Sequence, residues 1–108
     1  MARSADIRLV FQRRLKQLRL EKGLSQHDLG VKIGLDESVA ATRINRYEKG
    51  VHQPTMDTVS RMAGALKVPT AYFFADDERL GKMILAFNRL AVAQKDELVS
   101  QLESGADL

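Results

Sequence analysis

Within the eight residues 42–49 lie five side chains, Thr42, Arg43, Asn45, Arg46 and Lys49, with the chemistry to read a nucleic-acid duplex. Arginine can donate a bidentate pair to guanine, asparagine can pair with an adenine edge, and threonine can offer its hydroxyl or meet a thymine methyl. On a helix, at about 100° per residue, Thr42, Arg46, Val39, Asn45 and Lys49 share one side, while Ala40, Ile44 and Tyr47 share the other. Arg43 falls toward the flank. The stretch therefore predicts an amphipathic helix over about Val39–Lys49 with a polar, basic outward face. A solvated surface helix of an ordinary bundle presents a polar outward face as well, so the face by itself leaves both readings open.

Such a helix needs others to carry it, and the pattern is helical nearly throughout. Ile7, Phe11, Leu15 and Leu18 recur at helical spacing and predict an inward stripe, with Arg8, Arg13, Arg14 and Lys16 largely off it. Gly23 is placed to end this helix. Ser25 can cap the next, with Asp28 completing a capping box and Leu24 and Leu29 placed as a hydrophobic staple. Leu29 and Ile33 face inward and Gly34 ends a short helix. Gly30 inside it costs roughly 1 kcal/mol relative to alanine, which makes sense if another helix crosses closely there. Asp36 or Ser38 can cap the third helix, which stops at Gly50. Pro54-Thr55 opens a fourth, with Val59, Met62, Ala63 and Leu66 inward. Thr70 caps a short fifth segment, Ala71 to Phe74. Asp76-Asp77-Glu78 places acid at the start of a sixth, where the helix dipole favours it, with Leu80, Ile84, Phe87 and Leu90 or Ala91 as its stripe. A last helix around Lys95–Leu102 buries Leu98, Val99 and Leu102, and residues 104–108 look frayed. Both prolines fall in connections, and no strand alternation of useful length is present.

Composition narrows the function classes. The chain has 108 residues, 44% hydrophobic and 29% charged, enough for one compact domain with a short extension. Its net charge of +3 is divided unevenly. Residues 1–54 carry 11 Lys and Arg against 6 Asp and Glu, a net of +5, and residues 55–108 carry 6 against 8, a net of −2. That asymmetry suggests that the first half faces a polyanion. With no cysteine there is no disulfide, cysteine nucleophile or cysteine zinc site. His27 and His52 lack metal-ligand spacing, the glycines form no phosphate loop, and no Ser, His and Asp are set as a triad. No apolar run is long enough to span a membrane, and residues 1–6 lack the apolar stretch of a signal peptide, so the expected compartment is the cytoplasm.

In order and spacing, Arg19-x-x-x-Gly23-Leu24-Ser25-Gln26, Leu29, Ile33-Gly34 and Ile44-x-x-Tyr47-Glu48-x-Gly50, followed by Pro54, Ala63-x-x-Leu66-x-Val68 and Phe73-Phe74, resemble the lambda-repressor-like, or XRE-type, helix-turn-helix family over about residues 8–75. The resemblance implies an all-α fold: a five-helix DNA-binding domain, residues 1–76, here with a C-terminal extension of one or two helices, residues 77–108. It implies a bacterial or phage-encoded regulator of transcription, more a repressor than an activator, that binds double-stranded DNA, is not an enzyme and needs no cofactor. The recognition helix would enter the major groove. Thr42, Arg43, Asn45 and Arg46 occupy its recognition positions. Gln26, first in the second helix, typically contacts phosphate in the family. His27 beside it, Lys49, and His52 and Gln53 in the following loop complete the DNA-binding set. Arg19 and Glu48 match a partly buried ion pair that fixes the first helix against the recognition helix.

The segment from Gly34 to Gly50 is longer than usual for the family by about one helical turn. It is either one extra turn on the recognition helix or a longer turn before a helix of normal length. Ser38, Val39 and Ala41 would approach the bases only in some of these arrangements. The extension, residues 78–104, is expected to pair with a second copy, giving a dimer that reads an inverted repeat. The alternative is an interaction module whose main partner is a protein, as an antitoxin binds its toxin.

Overall fold

The computed structural model describes residues 6–105; the expectations for residues 1–5 and 106–108 lie outside that range. The order of elements is α1 (Ile7–Glu21), α2 (Gln26–Lys32), α3 (Ala40–Lys49), α4 (Met56–Leu66), a 3-10 helix (Thr70–Phe74), α5 (Glu78–Asn88) and α6 (Val92–Ser104). The chain is all-helical, with no strand among the described residues.

Local chemistry sets these boundaries. α1 ends with Gly23 in the left-handed region at φ 69°, and the Leu24 N–H returns to the Arg19 carbonyl at 3.0 Å. Gly34, at φ 91°, closes α2 in the same way, with the Leu35 N–H on the Gly30 carbonyl at 3.0 Å. Both are Schellman ends, which need a residue that tolerates positive φ. The α2 capping box is formed in both directions: the Asp28 N–H donates to Ser25 Oγ at 2.9 Å, and the Ser25 N–H to Asp28 Oδ2 at 3.3 Å. The Ser25 N–H first, and then the Ser25 side chain, hold the Asp28 carboxyl below its ordinary value. Thr55 caps α4 and Asp77 caps α5.

The core gathers Phe11, Leu15 and Leu18 from α1, Leu29 and Ile33 from the α2 region, Ile44 and Tyr47 from α3, Val59, Met62, Ala63 and Leu66 from α4, and Tyr72 and Phe73. Ile7, expected inward, is exposed, because the stripe reaches past the edge of this core. Arg14, expected outside the stripe, is the largest correction: only 1% of it is exposed. It lies one turn from Val10 and one turn from Leu18, both buried. Its guanidinium is satisfied there, donating through Nε and Nη2 to the Ala75 carbonyl at 2.9 and 2.5 Å and lying 4.5 Å from the Tyr72 ring centroid.

Three helix starts differ from expectation. Val39 precedes α3 with no side-chain hydrogen bond to its first turn, because Asp36 and Ser38 bond to each other instead. Thr70 is the first residue of its 3-10 helix and does not cap it. The last helix begins at Val92, where the Ala91 N–H is bound by Gln94 Oε1 at 3.0 Å, and not near Lys95. Its apolar residues are not buried within the chain. Val99 and Leu102 are exposed and Leu98 is partly covered, because α6 makes little contact with the other described elements. On α5, Ile84 and Leu85 meet the core, but Leu80 is 49% exposed.

Candidate nucleic-acid interface

α2 and α3 form a tightly packed pair. A Cβ built on Gly30 would stand 2.6 Å from the Ala40 Cβ and 2.8 Å from the Ala40 Cα, so only a residue without a side chain fits where α2 meets the start of α3. Residues 35–39 make the longer turn before α3, a helix of ten residues. The Ser38 N–H donates to Asp36 Oδ2 at 3.0 Å and the Ser38 hydroxyl to the same oxygen, which lowers the Asp36 carboxyl from its ordinary value. The extra residues are thus taken up by an Asx-type turn. The apolar side of α3 stays in phase, with Ala40, Ile44 and Tyr47 buried.

The opposite side of α3 is open. Thr42, Arg43, Arg46 and Lys49 are exposed, as are Val39 and Ala41, and Asn45 is partly covered. Neither Arg43, Arg46 nor Lys49 has a carboxylate within ion-pair distance among the described residues. After Gly50, at φ 75°, the chain turns back so that the Val51 N–H meets the Arg46 carbonyl at 2.9 Å. That turn brings His52 and Gln53 beside α3. Arg43, Arg46, Tyr47, His52 and Gln53 line one open depression. Arg43, read from the sequence as a flank residue, therefore shares a basic surface with Arg46.

Behind this surface lies a side-chain network. Arg19 Nε donates to Glu48 Oε2 at 2.6 Å, Nη2 to Glu48 Oε1 at 3.1 Å, and Nη1 to the Leu24 carbonyl at 2.9 Å. The pair is buried, with side-chain exposures of 8% for Arg19 and 3% for Glu48. Gln26 Nε2 donates to Asn45 Oδ1 and to Glu48 Oε1, each at 3.1 Å. α1, α2 and α3 are thus tied together immediately beneath the exposed face. The structure groups Gln26 and Asn45 with Arg19 and Glu48, and groups Arg43, Arg46, His52 and Gln53 around the depression. Thr42, Lys49 and His27 stand outside both groups on exposed positions, with His27 Nδ1 3.9 Å from Asp28 Oδ1. Among the described residues no three His, Cys, Asp or Glu are grouped to hold a metal.

The pattern that defines the Helix-turn-helix family matches residues 15–73, more than half of the chain. The chain belongs to the XRE-type helix-turn-helix family. Its members are DNA-binding regulators of transcription and not enzymes. This regulator is 28% identical over 100 residues to the cryptic phage CTXphi transcriptional repressor RstR of Vibrio cholerae, an alignment covering 88% of this chain and 86% of that protein. It is 36% identical over 63 residues to the uncharacterized HTH-type transcriptional regulator y4wC of Sinorhizobium fredii, covering 58% of this chain but only 41% of that protein. The crystal structure of the transcriptional regulator BswR superposes with a TM-score of 0.78 at 38% identity, covering 86% of this chain and 92% of that one. Coverage of 86% cannot be reached by residues 15–73 alone, so the likeness to BswR extends into the C-terminal helices.

One packing feature was missed from the sequence. Arg14 packs α1 against the 3-10 helix and the start of α5. Arg13 donates to Glu78 Oε1 at 2.9 Å, Arg14 Nη2 lies 3.7 Å from the same oxygen, and a Cβ on Gly81 would stand 2.9 Å from Arg14 Nη2. The four-residue spacing of Arg14 from Val10 and Leu18 carried that signal. No helix among the described residues is long and apolar enough to cross a membrane.

Proposed function

We propose that this helix-turn-helix regulator is a repressor that binds double-stranded DNA as a homodimer, each copy placing α3 in the major groove of one half of an inverted repeat. The observation that carries the reading is the outward face of α3, where Arg43, Arg46 and Lys49 stand exposed with no carboxylate partner among the described residues. Arg46 and Thr42 read bases, with Asn45 and Arg43 at the edges of the contact. Lys49, His52, Gln53 and, at the start of α2, His27 lie against the backbone, while Gln26 sits behind them with its amide on Asn45 and Glu48. The repressor assignment follows the name of the Vibrio cholerae relative. Dimerisation is supported by the extension. Leu80, Met83, Val99 and Leu102 are exposed on α5 and α6, and an apolar face of this kind favours a partner surface.

Methylation protection tests the placement of α3. On sites recovered from fragmented genomic DNA, the protein should shield guanine N7 in two patches about one helical turn apart on the duplex. Protection confined to minor-groove adenine positions would contradict it. The same apolar arm also suits a different protein as partner. A chain that is monomeric at micromolar concentration and covers one half-site would favour that second reading.

A further inference from the structure

The network beneath α3 determines which way two amides face. Glu48 is held by two donors of Arg19, at 2.6 and 3.1 Å, and a carboxylate so paired only accepts hydrogen bonds. Gln26 therefore meets it with nitrogen, 3.1 Å from Oε1. Turned over, the Gln26 amide would set oxygen against oxygen. The other proton of the same nitrogen goes to Asn45 Oδ1 at 3.1 Å. Turned over, Asn45 would set one NH2 group against another. Amide orientations are assigned from such partners, and here a buried ion pair supplies an unambiguous first partner.

Both protons of the Gln26 amide are thus spent inside the protein. The described residues supply no partner for Asn45 Nδ2 or for Gln26 Oε1. No buried side-chain nitrogen or oxygen among them lacks a partner, and Gln26 and Asn45 are both partly covered residues. Those two atoms therefore reach solvent, beside the exposed face of α3.

We infer that Glu48, acting through Gln26, is a positioning residue for DNA recognition: it holds Asn45 so that the Nδ2 protons meet a hydrogen-bond acceptor on the duplex. This rests on α3 facing DNA. The acceptor is a phosphate oxygen or an acceptor atom on a base edge. Gln26 serves as the relay and leaves outward a carbonyl oxygen, which only accepts and cannot donate to phosphate.

A double-mutant cycle tests the relay, using the full chain and a duplex selected for it. Gln26→Met keeps the length of the side chain and leaves the Arg19–Glu48 pair in place. Thermal unfolding followed by circular dichroism establishes that each variant is folded before binding is read. Asn45→Ala alone should weaken binding about tenfold. In the Gln26→Met background the same change should cost less than about threefold, because an amide that is not held contributes less. Equal losses in the two backgrounds, or no loss from Asn45→Ala, would overturn the inference. Single methylphosphonates and single base-pair changes across the site then distinguish the acceptors. The substitution that abolishes the Asn45→Ala penalty identifies a phosphate or a base, and a penalty that survives every substitution would overturn the assignment. A protein that selects no duplex fails the DNA-binding reading and takes the relay with it. One that binds its duplex with multiplicative losses overturns the relay alone.

Discussion

Arg46 and Glu48 lie two residues apart on α3 and do opposite work. Arg46 is exposed with no carboxylate partner among the described residues, so its guanidinium is free for the duplex. Arg46→Ala should cost about 1–3 kcal/mol of binding and relax specificity at one base pair per half-site. Titrating selected and random duplexes checks this, since equal losses on both would place Arg46 on phosphate. Glu48 is buried against Arg19, so Glu48→Ala leaves a buried guanidinium whose one remaining acceptor among the described residues is the Leu24 carbonyl. It should cost about 3–5 kcal/mol in chemical denaturation, whereas replacing both partners with apolar residues of similar volume should cost much less. An Ala variant as stable as the parent would contradict the buried pair. The sequence exposed the Arg46 face through simple periodicity, because outward residues need no partner to be recognised. It did not expose Arg14. A charged side chain on a core-facing position reads as surface until the Ala75 carbonyl and the Tyr72 ring that satisfy it are brought from the other end of the domain.

At the scale of elements, the α2–α3 pair depends on a backbone approach. Gly30→Ala would drive a Cβ to 2.6 Å from that of Ala40, so it should destabilise the domain by about 1–3 kcal/mol despite its better helix propensity. A gain in melting temperature would show that the two helices can separate without loss. The glycine was legible as a close crossing because nothing else justifies it in a helix interior. The turn at residues 35–39 was legible in length but not in form, since Asp36 and Ser38 have the chemistry of caps and use it on each other. Helix ends also set the acid response. Asp28 is held low by the Ser25 N–H and hydroxyl. Asp77 is held low first by the Arg79 side chain and then by the Leu80 and Arg79 N–H groups. A carboxyl lowered in the folded state stabilises fully above its ordinary value of 3.8, and that contribution is lost as pH falls through the lowered value. Helical circular dichroism should therefore hold down to about pH 4 and decline below it, with part of the decline absent in Asp77→Asn. A loss of helix already complete at pH 6 would contradict this.

The molecule as a whole is elongated. Its radius of gyration is 16.0 Å and its extents are 53 × 36 × 22 Å, where a compact domain of this length would have a radius near 13 Å. The excess matches α6, which has no buried residue, and which meets α5 through Lys95, 5.5 Å from the Phe87 ring centroid. Periodicity identified the apolar stripe of α6 but not its partner, because spacing cannot say whether a face is covered by its own chain or by another. Leu80→Glu with Leu102→Glu, both at exposed positions, should leave the domain folded and convert a dimer to a monomer in sedimentation, with weakened binding to a paired site. A dimer that survives both changes would remove the arm from the interface. The charge follows the same division, with +5 on residues 1–54 and −2 on residues 55–108, so the net +3 understates the basic face. Affinity should consequently fall steeply with salt, as counterions released by phosphate contacts return. The most direct measurement is selection of duplexes from a random library by the full chain at moderate salt. An inverted repeat should be enriched, its half-sites about one helical turn apart, that Arg46→Ala no longer enriches in full. Failure to enrich any motif would contradict the DNA-binding reading.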